Sequence, residues 1–105
     1  MKEITVQELK EMMDNQIDFQ LIDVREEYEY ELVNLNGTLW PLSTILDHVS
    51  EIAKDKKVII HCKVGGRSGA AVRMLEEEFG LENLYNLKGG ILAYINEIDP
   101  SMSKY

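Results

Sequence analysis

A chain of 105 residues, 45% of them hydrophobic, is enough for one compact domain spanning 1–105 and too short for two ordinary ones. Its 19 acidic against 11 basic side chains leave a net charge of −8, which argues against nucleic acid or an anionic membrane surface as the main partner. One cysteine cannot form an internal disulfide, the N-terminus lacks the apolar core of a signal peptide, and no apolar run nears the roughly 20 residues of a membrane span, so a cytoplasmic protein is expected.

Ile4 begins a short strand. Thr5 and Glu8 then have capping-box spacing, and Val6, Leu9, Met12 and Met13 recur at helical period, which predicts a helix from Val6 to about Asn15. Phe19 to Val24 reads as a buried strand, and Glu26 to Leu32 as a polar, helix-prone stretch. Asn36-Gly37 marks a turn before a short strand, Thr38 to Trp40, that ends at Pro41. Ser43 is placed to cap a helix whose Ile45, Leu46, Val49, Ile52 and Ala53 share one face.

After a solvated connection from Lys54 to Lys57, Val58-Ile59-Ile60-His61 is the most apolar strand. A helix from about Ser68 to Phe79 turns Ala71, Val72, Leu75 and Phe79 inward, and Gly80 ends it. Asn83 to Leu87 is the last strand. Gly89-Gly90 leads into a final helix from about Ile91 to Ile98, with Ile91, Tyr94, Ile95 and Ile98 inward. Strands alternating with helices predict an α/β fold, a central parallel sheet of about five strands with helices on both faces. Ligands of such sheets bind beyond the carboxyl ends of the strands, which is where Cys62 falls.

Cys62 stands at the seam between the apolar strand and a glycine-rich turn that opens a helix. From Cys62 to Arg67 the spacing is C-x-x-x-x-R, and Gly65 and Gly66 can take the positive φ that a cradle of inward N–H groups requires. Such N–H groups, with the positive end of the following helix, favour a thiolate without a neighbouring base. Arg67 supplies directed hydrogen bonds and charge at the rim, and Lys63, Arg73 and Lys88 add local positive potential in an acidic chain. A cysteine phosphatase loop, C-x-x-x-x-x-R, would put arginine at position 68, where serine stands. The shorter cradle suits a single sulfur atom better than a tetrahedral phosphate, which points to sulfur transfer.

Strand alternation directs His61 away from Cys62, so it reads as a packed and hydrogen-bonded structural residue, and His48 as a surface one. Two histidines and one cysteine far apart in pattern make no zinc site, and neither a metal nor a cofactor is expected. Asp23 and Arg25, at a strand end, read as a structural pair bracing the loop. Tyr28, Tyr30 and Trp40 read as ordinary packing, with lining of a rim as the alternative, and Glu76 to Glu78 as a solvated face.

The stretch Cys62-Lys63-Val64-Gly65-Gly66-Arg67-Ser68 resembles the active loop of rhodanese-homology sulfurtransferases, which runs six residues from the cysteine to Arg67. Leu21-Ile22-Asp23-Val24-Arg25-Glu26 with Glu29-Tyr30 is similar to that family's D-V-R-E-x-x-E-F/Y motif, and Asn86 to Tyr94 to its N-L-x-G-G-I-x-A-W segment. Val33 to Thr38 departs from the family's common G-H-I-P-G-A, with Asn34 where His or Arg often stands, and Tyr94 replaces the usual tryptophan. The ending Ile98-Asp99-Pro100-Ser101 with Tyr105 is similar to rhodanese domains fused to E1-like adenylating enzymes.

The resemblance implies a single-domain rhodanese-like sulfurtransferase. Cys62 would be catalytic, Lys63, Val64, Gly65, Gly66, Arg67 and Ser68 would bind substrate, and Asp23 and Arg25 would support them. A small anionic donor such as thiosulfate would load Cys62 with sulfur as a persulfide, and cyanide, a thiol or a protein would collect it. With no second cysteine in the chain, that acceptor must be external. A monomer is expected. A reading from another class is a rhodanese-fold binding or sulfur-sensing module with little turnover.

Overall fold

Thr5 and Glu8 set the first helix as their spacing predicts: the Glu8 N–H donates to Thr5 Oγ1 at 3.1 Å and the Thr5 N–H to Glu8 Oε1 at 3.0 Å. The computed structural model describes residues 1–102. In chain order these form β1 (Glu3–Ile4), α1 (Val6–Asp14), β2 (Gln20–Asp23), α2 (Glu27–Leu32), β3 (Thr38–Leu39), a 3-10 segment (Leu42–Glu51), β4 (Val58–His61), α3 (Gly66–Phe79), β5 (Leu84–Leu87) and α4 (Gly90–Glu97). Tyr105, part of the C-terminal resemblance, lies outside the described residues.

All five strands run parallel, in the order β1-β5-β4-β2-β3. The architecture is the expected single α/β domain. Strand β4 lies at the centre and every residue from Val58 to His61 is buried. Alternation sends Val58 and Ile60 into one core with Ile22, Val72 and Leu75, and Ile59 into the other with Leu9, Leu87, Ile91 and Ile95. Helix α3 and the 3-10 segment therefore cover one face, and α1 and α4 the other. Each fully buried aliphatic side chain of this kind contributes about 1.5–3 kcal/mol.

The segment Leu42–Glu51 differs from the expected helix. It is entered from Pro41, whose carbonyl accepts from both the N–H and the Oγ1 of Thr44, at 2.8 and 2.9 Å, so Ser43 caps nothing. With three residues per turn the apolar positions no longer share one stripe. Ile45 and Ile52 are buried, whereas Leu46 is exposed. Phe79 is also exposed: Gly80, at φ 65°, turns the chain away before anything covers it.

Helix α4 is tied to the cysteine loop rather than only to the sheet. The N–H groups of Ile91 and Leu92 donate to the carbonyls of Cys62 and Lys63, each at 3.0 Å. Gly89 and Gly90 make this approach with φ 78° and 63°, and a Cβ on Gly90 would strike the Lys63 carbonyl. Gly66, by contrast, is the first residue of α3 and has open space where its Cβ would be; of the two loop glycines only Gly65, at φ 117°, uses the left-handed region. Gly90→Ala is expected to lower stability by about 2 kcal/mol or more, read as a reduced urea midpoint, while Gly66→Ala stays within about 0.5 kcal/mol of wild type.

Candidate active site

Cys62 follows the last residue of β4, and its side chain is 1% exposed. The Gly65 N–H donates to Sγ at 3.1 Å, and the Ser68 hydroxyl lies 3.3 Å from Sγ and 2.5 Å from Asn86 Oδ1, two acceptors that share its single proton. Burial is the largest single influence and pushes the thiol up. The Ser68 hydroxyl and the N–H groups of Ser68, Gly65 and Val64 together outweigh it, so the thiol sits below its ordinary value. The sulfur holds charge because four neutral dipoles replace the water it has lost.

Those dipoles are themselves held. Asn86, on β5, has its Nδ2 donating to the Gly65 carbonyl at 3.2 Å, which turns its Oδ1 toward the Ser68 hydroxyl. Ser68 is fully buried and Asn86 nearly so. One amide thus fastens both a cradle backbone and the hydroxyl that faces the sulfur. In the sequence Asn86 stands only as the start of a motif. Nothing in the local pattern tells that its side chain spans from β5 to the loop.

Arg67 meets a partner that lies far away in sequence. Its Nη1 and Nη2 donate to Oε1 and Oε2 of Glu29 at 2.6 and 2.9 Å, a two-point pair between α3 and α2. Glu29 is buried, yet the Arg67 guanidinium, the Glu26 N–H and the charge of Arg25 hold its carboxyl at about 2. Arg25 and Asp23 brace the same helix from below. Arg25 is fully buried; Nε and Nη2 bind the Asp23 carboxylate at 2.9 and 2.7 Å, and Nη2 also donates to the Val33 carbonyl at 2.7 Å. With Nη1 at 3.4 Å from the Glu29 carbonyl, the guanidinium occupies the C-terminal end of α2, where a cation is favoured.

His61 is packed as expected but is not well hydrogen-bonded. Nδ1 lies 3.4 Å from the Cys62 carbonyl, Nε2 lies 3.7 Å from Asp23 Oδ2, and Nε2 has no hydrogen-bond partner. Burial pulls its pKa down and keeps the ring neutral. His48 is not a bare surface residue, since it stacks on Trp40 with ring centroids 4.5 Å apart. Lys63 is half-buried at the start of the loop and Val64 exposed at its tip, while Arg73 and Lys88 are exposed. A cavity of about 490 Å³ lies at the opposite end of the sheet, around Phe19, Gln20 and Thr38, away from the cysteine. Among the described residues no helix is long and apolar enough to cross a membrane.

A family model described as "Rhodanese-like domain" matches residues 5–97. The chain belongs to the rhodanese-like domain family. It is 38% identical to Rhodanese-like/PpiC domain-containing protein 12, chloroplastic, of Arabidopsis thaliana, over 99% of this chain and 37% of that protein. It is 36% identical to the adenylyltransferase and sulfurtransferase UBA4 of Eremothecium gossypii, over 83% of this chain and 22% of that one. The chain thus spans well under half the length of these relatives. The crystal structure of a rhodanese-related protein from Thermoplasma volcanium superposes with a TM-score of 0.80 at 30% identity, covering 93% of this chain and 94% of that chain.

In this rhodanese-like domain the three sequence motifs converge on one spot: Asp23, Arg25 and Glu29 from the first, the cysteine loop from the second, and Asn86, Gly89 and Gly90 from the third. Ser68→Ala removes the hydroxyl that faces Sγ and is expected to raise the thiol pKa. The pH dependence of Cys62 alkylation measures it. An unshifted profile would mean that the backbone N–H groups suffice.

Proposed function

We propose that this domain is a sulfurtransferase that carries sulfur as a Cys62 persulfide. The observation that supports this most is the convergence of the Gly65 N–H and the Ser68 hydroxyl on a buried Sγ, which lowers the thiol despite burial. Membership of the rhodanese-like family supports it independently, as does the word sulfurtransferase in the name of the UBA4 relative.

In the first half-reaction the Cys62 thiolate attacks the outer sulfur of a small anionic donor such as thiosulfate. A bond forms between Sγ and that sulfur, the donor's sulfur–sulfur bond breaks, and sulfite leaves with its electron pair. In the second, a thiol, cyanide or a protein acceptor attacks the outer sulfur, and Cys62 departs as thiolate. Negative charge on the transferred sulfur develops inside the loop, where the N–H groups are already oriented and need no reorganisation. Val64, Gly65, Gly66 and Ser68 serve through the loop backbone and the Ser68 hydroxyl, Lys63 through its charge, and Arg67 from the rim, where Glu29 holds it. The Asp23–Arg25 pair acts at a distance by fixing α2. A reducing compartment such as the cytoplasm, rich in thiol acceptors, suits a chain whose lone cysteine has no disulfide partner, and the domain works as a monomer.

Treatment with thiosulfate is expected to raise the intact mass by about 32 Da, one sulfur atom, in wild type and not in Cys62→Ser. Sulfur transfer to cyanide should fall by about three orders of magnitude or more in that variant. Full activity in Cys62→Ser would overturn the proposal. So would the absence of an adduct with every donor tried, and stoichiometric capture of a partner without turnover would then favour a sulfur-sensing module.

A further inference from the structure

The cation at the mouth of the loop is already taken. Both terminal nitrogens of Arg67 face the Glu29 carboxylate, at 2.6 and 2.9 Å, and the Glu29 side chain is 5% exposed against 37% for Arg67. The carboxylate is therefore the fixed member of the pair. It also accepts the Glu26 N–H at 3.0 Å, from an α2 that Arg25 pins at its C-terminal end. Around it α2 adds exposed Glu27 and Glu31, with Glu26 at its cap, in a chain of net charge −8.

We propose that Glu29 sets donor specificity: by cancelling the charge of Arg67 it directs the loop toward sulfane-sulfur donors carrying one negative charge and against the thiosulfate dianion. The inference rests on the persulfide chemistry proposed above. The groups that face the sulfur are neutral dipoles, the N–H groups of Gly65, Val64 and Ser68 and the Ser68 hydroxyl, which stabilise one charge on the transferred atom. Beyond them Val64, 60% exposed at the tip of the loop, offers the donor's tail an apolar contact. With Arg67 neutralised by Glu29, a dianion meets twice the repulsion from the thiolate that a monoanion meets.

A thiol persulfide meets this requirement. Its outer sulfur forms a bond to Cys62 Sγ, its sulfur–sulfur bond breaks, and the donor's thiolate leaves with the electron pair, so charge and oxidation level balance without a further reagent. Across several ångströms of well-screened space each unit of donor charge changes the encounter by about threefold.

The test compares thiosulfate with methanethiosulfonate, which presents the same sulfane sulfur with one charge fewer, using cyanide as acceptor. Glu29→Gln keeps the side chain's size and an oxygen for the Glu26 N–H while removing the charge. It is expected to raise kcat/KM about tenfold for thiosulfate and about threefold for methanethiosulfonate, a threefold shift in their ratio. In wild type alone, kcat/KM for thiosulfate should rise with added salt more steeply than for methanethiosulfonate, a readout that survives if the variant fails to fold. An unshifted ratio, a selective loss of thiosulfate activity in Glu29→Gln, or a wild-type thiosulfate rate that falls with salt would overturn the inference and leave the sulfurtransferase reading intact. Absence of Cys62-dependent turnover with both donors would overturn the two together.

Discussion

A buried sulfur can carry negative charge only where oriented dipoles replace the water it has lost. Cys62 is 1% exposed, and burial alone pushes its thiol in the wrong direction for chemistry. The loop and the elements that hold it offset this. Gly65 takes a left-handed φ of 117°, and its N–H donates to the sulfur. Asn86 holds Gly65 and Ser68 from the neighbouring strand, and the first turn of α4 takes up the carbonyls of Cys62 and Lys63. With its carbonyls tied back, the loop is left with its N–H groups facing inward.

A second line of support runs from the sheet to the mouth of the loop. Asp23, at the end of β2, neutralises the fully buried Arg25, which in turn occupies the carbonyls at the end of α2. That fixes Glu29, and Glu29 fixes Arg67. Removing either member of the Asp23–Arg25 pair would leave a buried charge uncompensated, so the pair is a structural commitment rather than a source of reactivity. The groups that face Sγ are neutral dipoles, while Asp23 with Arg25 and Glu29 with Arg67 sit one layer out as ion pairs.

Much of this was legible in the residues themselves. The Thr5 and Glu8 spacing, the apolar run of β4, the cysteine at its carboxyl end and the stop at Gly80 are local signals, and each element lies within a residue or two of where the pattern put it. Positions that depend on contact between distant segments were not legible. Glu29 and Arg67 are 38 residues apart, and no periodicity joins them. The 3-10 segment escaped because its apolar residues also fit a helical stripe, and the decisive event is the Pro41 carbonyl taking both donors of Thr44. Gly66 looked like a turn residue beside Gly65, yet one left-handed residue is enough to open the cradle and Gly66 is free to begin α3.

In the proposed transfer, the loop N–H groups receive the sulfur. A crystal structure of the domain soaked with a sulfane donor tests this most directly. It should show one additional sulfur bonded to Cys62 Sγ, with that terminal atom inside the loop and within hydrogen-bond distance of its backbone N–H groups. A terminal sulfur turned out toward Arg67 or solvent, with the loop amides facing elsewhere, would contradict it.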